Sequence, residues 1–137
     1  MNERNNRIRA QTRKMPQTAF GTARKSDETP ALEPSLVSMF RRLGYRVHHH
    51  PATHDSGVDL DLARPGLRAI VQCKDWRHPV GPAVVRDLYG TLLHTGADFE
   101  ILVASSTISQ SARRFAQGKP LLLLDGALLQ LLLPDSF

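Results

Sequence analysis

Apolar residues recur along this chain at two different spacings, and the switches between them mark its elements. Leu32, Leu36, Val37, Met39, Phe40 and Leu43 follow helical spacing, and Gly44 then stops the run. Residues 45–49 predict a short strand, and residues 50–56, with Pro51, a polar loop. From Gly57 to Leu62 the pattern alternates. Val58, Leu60 and Leu62 face one way, Asp59 and Asp61 the other. Arg64-Pro65-Gly66 is a turn, and residues 67–74 return as the second strand of a hairpin. Ala69, Val71 and Cys73 share one of its faces, Ile70, Gln72 and Lys74 the other. Pro79, Gly81 and Pro82 open a helix carrying Val84, Val85, Leu88, Tyr89 and Leu92, which Gly96 ends. Residues 99–105 are a mostly apolar run, short enough for a buried strand. Ser109 caps a helix with Ala112, Phe115 and Ala116, and Gly118 stops it. Residues 121–124 form another buried strand and 127–133 a last helix. The predicted order is α-β-β-β-α-β-α-β-α, a single α/β domain. A hairpin followed by crossover helices implies a mixed central sheet flanked by helices on both faces.

Composition changes little in this picture, but charge changes it at one end. The 137 residues are 41% hydrophobic and 23% charged, as in an ordinary globular domain. The single cysteine, Cys73, gives the expectation of neither a disulfide framework nor a cysteine-based zinc site. The greasiest stretch, 121–133, is broken by Asp125, Gly126 and Gln130 and is shorter than the ~20 residues of a membrane span. The expectation is no membrane association and a cytoplasmic, nucleoid-associated location. Residues 1–25 hold Arg4, Arg7, Arg9, Arg13, Lys14, Arg24 and Lys25 against Glu3 alone, a net +6, whereas the remainder carries 11 basic and 12 acidic residues. Residues 1–30 are therefore expected to be a basic disordered tail, attracted to polyanions, ahead of a folded domain over 31–137.

The hairpin carries the candidate chemistry. A loop centred between Pro65 and Gly66 puts Arg64 opposite Leu67 and Asp59 opposite Gln72, with Lys74 two residues along on the same face. Cross-strand Cβ atoms lie about 5 Å apart. An acid, an amide and a lysine thus converge. Oxygen donors of this kind suit Mg²⁺, and a lysine beside a metal neutralises phosphate charge. The same spacing also describes a polar hairpin face with a Lys–Asp pair. Glu33 points from the apolar face of the first helix toward the sheet, where it can meet a metal or favour the helix dipole. His48, His49 and His50 are taken as an exposed polar strand end, and the Cys73 side chain as core-facing. Arg77, His78, Arg86, Arg113 and Arg114 can contact phosphates or line a solvated face.

The segments GYRV, HDSGVDL, VQCKDW, PVGPAVVRDLYG, ILVASSTISQSARRFA and LLLLDGALLQLL, in this order, resemble the Mrr-like type IV restriction endonuclease catalytic domain, within the PD-(D/E)xK nuclease superfamily. The resemblance spans about residues 32–133 and implies a restriction-endonuclease-like fold. It implies that Asp59 is the metal-binding acid and that Gln72 replaces the second acid. Lys74 becomes the catalytic lysine, Glu33 the helix glutamate and Asp55 the acid that starts the loop motif. The Cys73 main-chain carbonyl becomes a metal ligand. The implied activity is Mg²⁺- or Mn²⁺-dependent DNA endonucleolysis. Cutting both strands needs two active sites, so a homodimer is expected, and a separate DNA-recognition partner is a further expectation. Arg77, Arg86 and the basic tail would contact DNA. Leu32, Pro34 and Asp75 depart from the family pattern, and a non-catalytic DNA-binding accessory protein of the same fold is the alternative.

Overall fold

The computed structural model describes residues 32–50 and 57–136. Helix α1 (Leu32–Arg42) buries Leu32, Leu36 and Phe40 on one side, with Glu33 in its first turn and Arg41 and Arg42 in its last, where each charge suits the helix dipole. The strands β1 (Arg46–His49), β2 (Leu60–Arg64) and β3 (Leu67–Lys74) follow. Helix α2 (Pro82–Thr95) starts on a proline, whose missing N–H costs nothing there. It ends at Gly96, whose left-handed backbone returns an N–H to the Leu92 carbonyl. Then come β4 (Phe99–Ala104), α3 (Gln110–Ala116), β5 (Leu121–Leu124), α4 (Gly126–Leu132) and a 3₁₀ turn over Pro134–Ser136. Ser109 and Asp125 cap α3 and α4 by accepting the Ala112 and Leu128 N–H groups.

The five strands of the described residues form one sheet in the order β1-β2-β3-β4-β5. The first three are antiparallel, while β3-β4 and β4-β5 are parallel. The sheet is therefore mixed, as the pattern predicts, with helices on both faces. One face packs Leu60, Leu62, Val71 and Val103 against Leu36 and Phe40 of α1 and Leu129 of α4. The other packs Leu102 and Ala104 against Val85 and Leu88 of α2 and Ala112 of α3. Each leucine so buried stabilises the fold by roughly 2 kcal/mol.

Several boundaries differ from the expectation: β1 begins at Arg46 rather than at residue 45, and β4 ends at Ala104 rather than at residue 105. The second strand begins at Leu60 rather than Gly57 and runs on to Arg64. Residues 57–59 leave the ladder because their backbone serves a different purpose, described below. The last helix starts and ends one residue earlier than its apolar pattern, since Asp125 supplies the cap. The basic tail, with Arg4, Arg7, Arg9, Arg13, Lys14, Arg24 and Lys25, lies outside the described residues, as does Asp55.

Candidate active site

The turn sets the hairpin register as predicted, from Arg64 opposite Leu67 to Leu60 opposite Val71. One residue further the pairing slips. Asp59 donates its N–H to the Val71 carbonyl at 2.8 Å, and its own carbonyl accepts the His50 N–H at 2.9 Å. Its carboxylate Oδ2 accepts the Cys73 main-chain N–H at 2.6 Å. The side chain thus takes the place of a β2 carbonyl, where the two strands fork. Gly57 makes the slip feasible. Its φ of +75° favours glycine, and a Cβ there would meet Gln72 Nε2 at 3.3 Å and Thr91 Oγ1 at 3.6 Å. Asp59 therefore does not sit opposite Gln72, as a continuous ladder would require. A backbone donor, Cys73 N–H, captures it instead.

The fork gathers a different set of donors from the one expected. Glu33 and Asp59 carboxylate oxygens and the Cys73 sulfur all lie within 4.8 Å of one another, each residue half-buried. Glu33 is aimed at the sheet, as the amphipathic spacing of α1 predicts. His49 Nε2 lies 2.7 Å from Glu33 Oε2 and holds it there. The expectation that Cys73 only faces the core needs correcting. It packs against the Leu60–Val71 cluster, yet its sulfur reaches the two carboxylates. His49 likewise does more than end an exposed strand. Strand alternation places it on the face of Val47, which packs on the α1 core, and that alternation is the signal in the sequence that points to its role.

Gln72 and Lys74 project from the other face of the same strand end, because alternation separates them from Val71 and Cys73. The predicted convergence of acid, amide and lysine on one face therefore becomes a fork flanked from both faces. Gln72 lies beside Thr91 of α2 and the Gly57 backbone. Lys74 Nζ stands 5.1 Å over the Trp76 ring, which stacks on His78 at 4.6 Å. The loop carrying them is pinned by Ser105, whose N–H donates to the Lys74 carbonyl at 3.1 Å. Ser105 Oγ also bonds the Asp75 carboxylate at 3.0 Å. Asp75 is thereby engaged within the protein.

Two carboxylates outside the fork are paired within the protein. Burial alone would raise the Asp61 pKa, but hydrogen bonds from His50 at 2.6 Å and Arg68 at 3.1 Å outweigh it and hold the carboxyl below its ordinary value. Arg113 is drawn to Asp125 at 2.8 Å and so serves the protein itself. Arg77 and Arg86 are exposed. Arg77 lines a cavity of about 420 Å³ with Ser105, Ser106, Thr107 and Gly126, beyond the ends of β4 and β5.

Two carboxylates at this spacing fit a hard divalent cation, which takes oxygen ligands. The thiol does not belong to that chemistry. Residues 27–133 match the restriction endonuclease family. The chain is 31% identical over 100 residues to the type IV methyl-directed restriction enzyme EcoKMrr of Escherichia coli (strain K12), covering 66% of this chain and 33% of that enzyme. It thus spans about a third of the length of this curated relative. The DNA modification-dependent restriction endonuclease AspBHI shares the fold with a TM-score of 0.60 at 20% identity, over 82% of this chain and 33% of that one. A protein of unknown function, AF1548, does so with a TM-score of 0.54 at 17% identity, over 66% and 54%.

Proposed function

This chain belongs to the restriction endonuclease family, and on that premise we propose that it hydrolyses DNA phosphodiesters with the help of a divalent metal. The observation that carries the reading is the fork, where Glu33 and Asp59 converge while Lys74 stands on the other side of the same strand end. Asp59 and Glu33 would hold Mg²⁺ or Mn²⁺, and the Cys73 main-chain carbonyl and Gln72 would serve as further oxygen donors. When bound, the cation supplies Lewis-acid stabilisation of phosphoryl charge and a more acidic water. Lys74 brings a positive charge to the pentacoordinate phosphorus as water adds and the 3′ oxygen leaves. Gln72, which carries no charge, orients water or metal where other members use an acid. Asp55 adds a loop acid. His49 positions Glu33.

Arg77, Arg86 and the tail arginines and lysines hold flanking phosphates, a sequence-independent contribution to affinity. Cutting both strands of a duplex takes two sites, so two copies act together as a homodimer. A separate partner supplies DNA recognition, and the protein works on the nucleoid in the cytoplasm. Residues 1–30 act as the DNA-gripping arm of the catalytic domain over 31–137. The test is plasmid nicking by purified protein with Mg²⁺ or Mn²⁺. Cleavage should stop with EDTA and in Asp59→Ala. Metal-dependent DNA affinity without cleavage, on methylated and unmethylated plasmid alike, would instead make it a DNA-binding accessory protein.

A further inference from the structure

We infer that the fork is also a binding site for a thiophilic divalent cation of the Zn²⁺ class, ligated by Glu33, Asp59 and the Cys73 sulfur. The inference rests on the proposed function only in sharing Asp59 and Glu33 with the hard-metal site.

The donor set is the first argument. The three ligand atoms come from α1, the residue before β2 and the end of β3, and all lie within 4.8 Å of one another. A tetrahedral zinc with Zn–S near 2.3 Å and Zn–O near 2.0–2.2 Å needs ligand atoms about 3.5 Å apart. Closing by about 1 Å is a side-chain movement for half-buried carboxylates. Among the described residues, no other three His, Cys, Asp or Glu side chains are gathered this closely.

The chemistry of selection is the second. Mg²⁺ takes oxygen ligands and near-ideal octahedral geometry, so the thiol adds nothing to its affinity. Zn²⁺ accepts sulfur, nitrogen and oxygen at low coordination number, and thiolate ligation favours it strongly over hard cations. One residue thus splits the affinities of a shared site. As the S–metal bond forms, the thiol proton passes to solvent.

The surroundings are the third. His49 Nε2 is 2.7 Å from Glu33 Oε2, the orienting contact that a ligating carboxylate commonly has behind it. With Zn²⁺ in the fork, Asp59 and Glu33 are no longer available to Mg²⁺. Zinc therefore acts as a competitive brake on magnesium binding.

The test uses the full chain and two probes that do not depend on cleavage. Co²⁺ is titrated while thiolate-to-cobalt charge-transfer absorption is followed, and Zn²⁺ binding is measured by calorimetry, for wild type, Cys73→Ser and Glu33→Gln. We expect one Zn²⁺ per chain, a charge-transfer band in wild type and none in Cys73→Ser. Zinc affinity should fall at least about tenfold in each variant, since losing even a partner behind a ligand costs about that much. Mg²⁺ should displace zinc only in large excess. Because Cys73 is the single cysteine of the chain, the wild-type band has no other source. Its absence, or wild-type zinc affinity in both variants, overturns the inference, even if one variant fails to fold. A band without plasmid cleavage keeps this inference and sinks the nuclease reading, and cleavage without a band does the reverse.

Discussion

The Asp59 carboxylate accepts the Cys73 main-chain N–H at 2.6 Å, one residue past the last β2–β3 pair. A single side chain thereby closes the sheet, and the proposed function gives it a second role as a cation ligand. The two roles separate by mutation. Asp59→Asn keeps an acceptor for the Cys73 N–H and removes the charge. Its unfolding free energy should stay within about 1 kcal/mol of wild type while metal affinity and nicking collapse. Asp59→Ala also leaves a part-buried donor without its partner, and should lose a further ~1–2 kcal/mol. Denaturant unfolding beside metal titration checks both. If Asp59→Asn nicks plasmid at the wild-type rate, Asp59 is only a structural acceptor.

Lys74 is half-buried and stands over the Trp76 ring. Lys74→Ala should cost about 1 kcal/mol of stability, mostly the cation–π attraction to that ring. Its cleavage rate should nonetheless fall by ~10² or more, since one pre-positioned charge stabiliser contributes about 3–4 kcal/mol in a transition state. Single-turnover cleavage at saturating protein separates this from weakened DNA binding. An unchanged rate would remove Lys74 from the chemistry.

Glu100 is fully buried in β4, and neither of its carboxylate oxygens has a hydrogen-bond partner among the described residues. Burial pushes its pKa up from 4.5 to about 8. Between these values the folded protein holds a proton that the unfolded chain has released. Stability is therefore greatest below about pH 4.5 as far as this group is concerned, and falls as pH rises toward 8, by up to about 1.4 kcal/mol per pH unit. Glu100→Gln should flatten that slope. Glu100→Leu should also add at least ~1 kcal/mol at pH 8, by filling the site with apolar atoms. Urea unfolding at pH 5 and pH 8 reads the effect, and an identical slope in wild type and Glu100→Gln would refute it.

Removing residues 1–25 takes away a net +6 of charge. If the arm grips DNA, affinity should fall and the slope of log K against log salt should flatten by about 0.9 for each phosphate that the arm neutralises. Fluorescence anisotropy across a salt series measures this. An unchanged slope would assign the arm to something other than DNA.

Much of the architecture was legible because it depends on local periodicity. The amphipathic run from Leu32 to Leu43 makes α1 and points Glu33 at the sheet. The Arg64-Pro65-Gly66 turn sets the hairpin register as far as Leu60 and Val71. The alternation of the strands, the Gly96 stop and the Ser109 cap bound the remaining elements. These features follow from side-chain spacing and backbone geometry within a few residues, so the sequence by itself determines them. Its order of motifs likewise identified the family.

Tertiary structure decided what happens where local rules end. Alternation carried past Leu60 puts Asp59 opposite Gln72, but the Cys73 N–H, 14 residues away, captures the carboxylate instead. The Glu33–His49 contact joins a helix to a strand 16 residues later. The thiol of a strand residue that packs against the core reaches two carboxylates only because α1 brings Glu33 over the fork. Glu100 follows the pattern of a buried strand, yet that its carboxylate meets no hydrogen-bond donor among the described residues depends on which side chains α2, α3 and the neighbouring strands bring to that face. Periodicity fixes which face of an element a residue occupies. Which donor meets it there is settled by the packing of segments distant in the chain, and the chemistry of this fork depends on that packing.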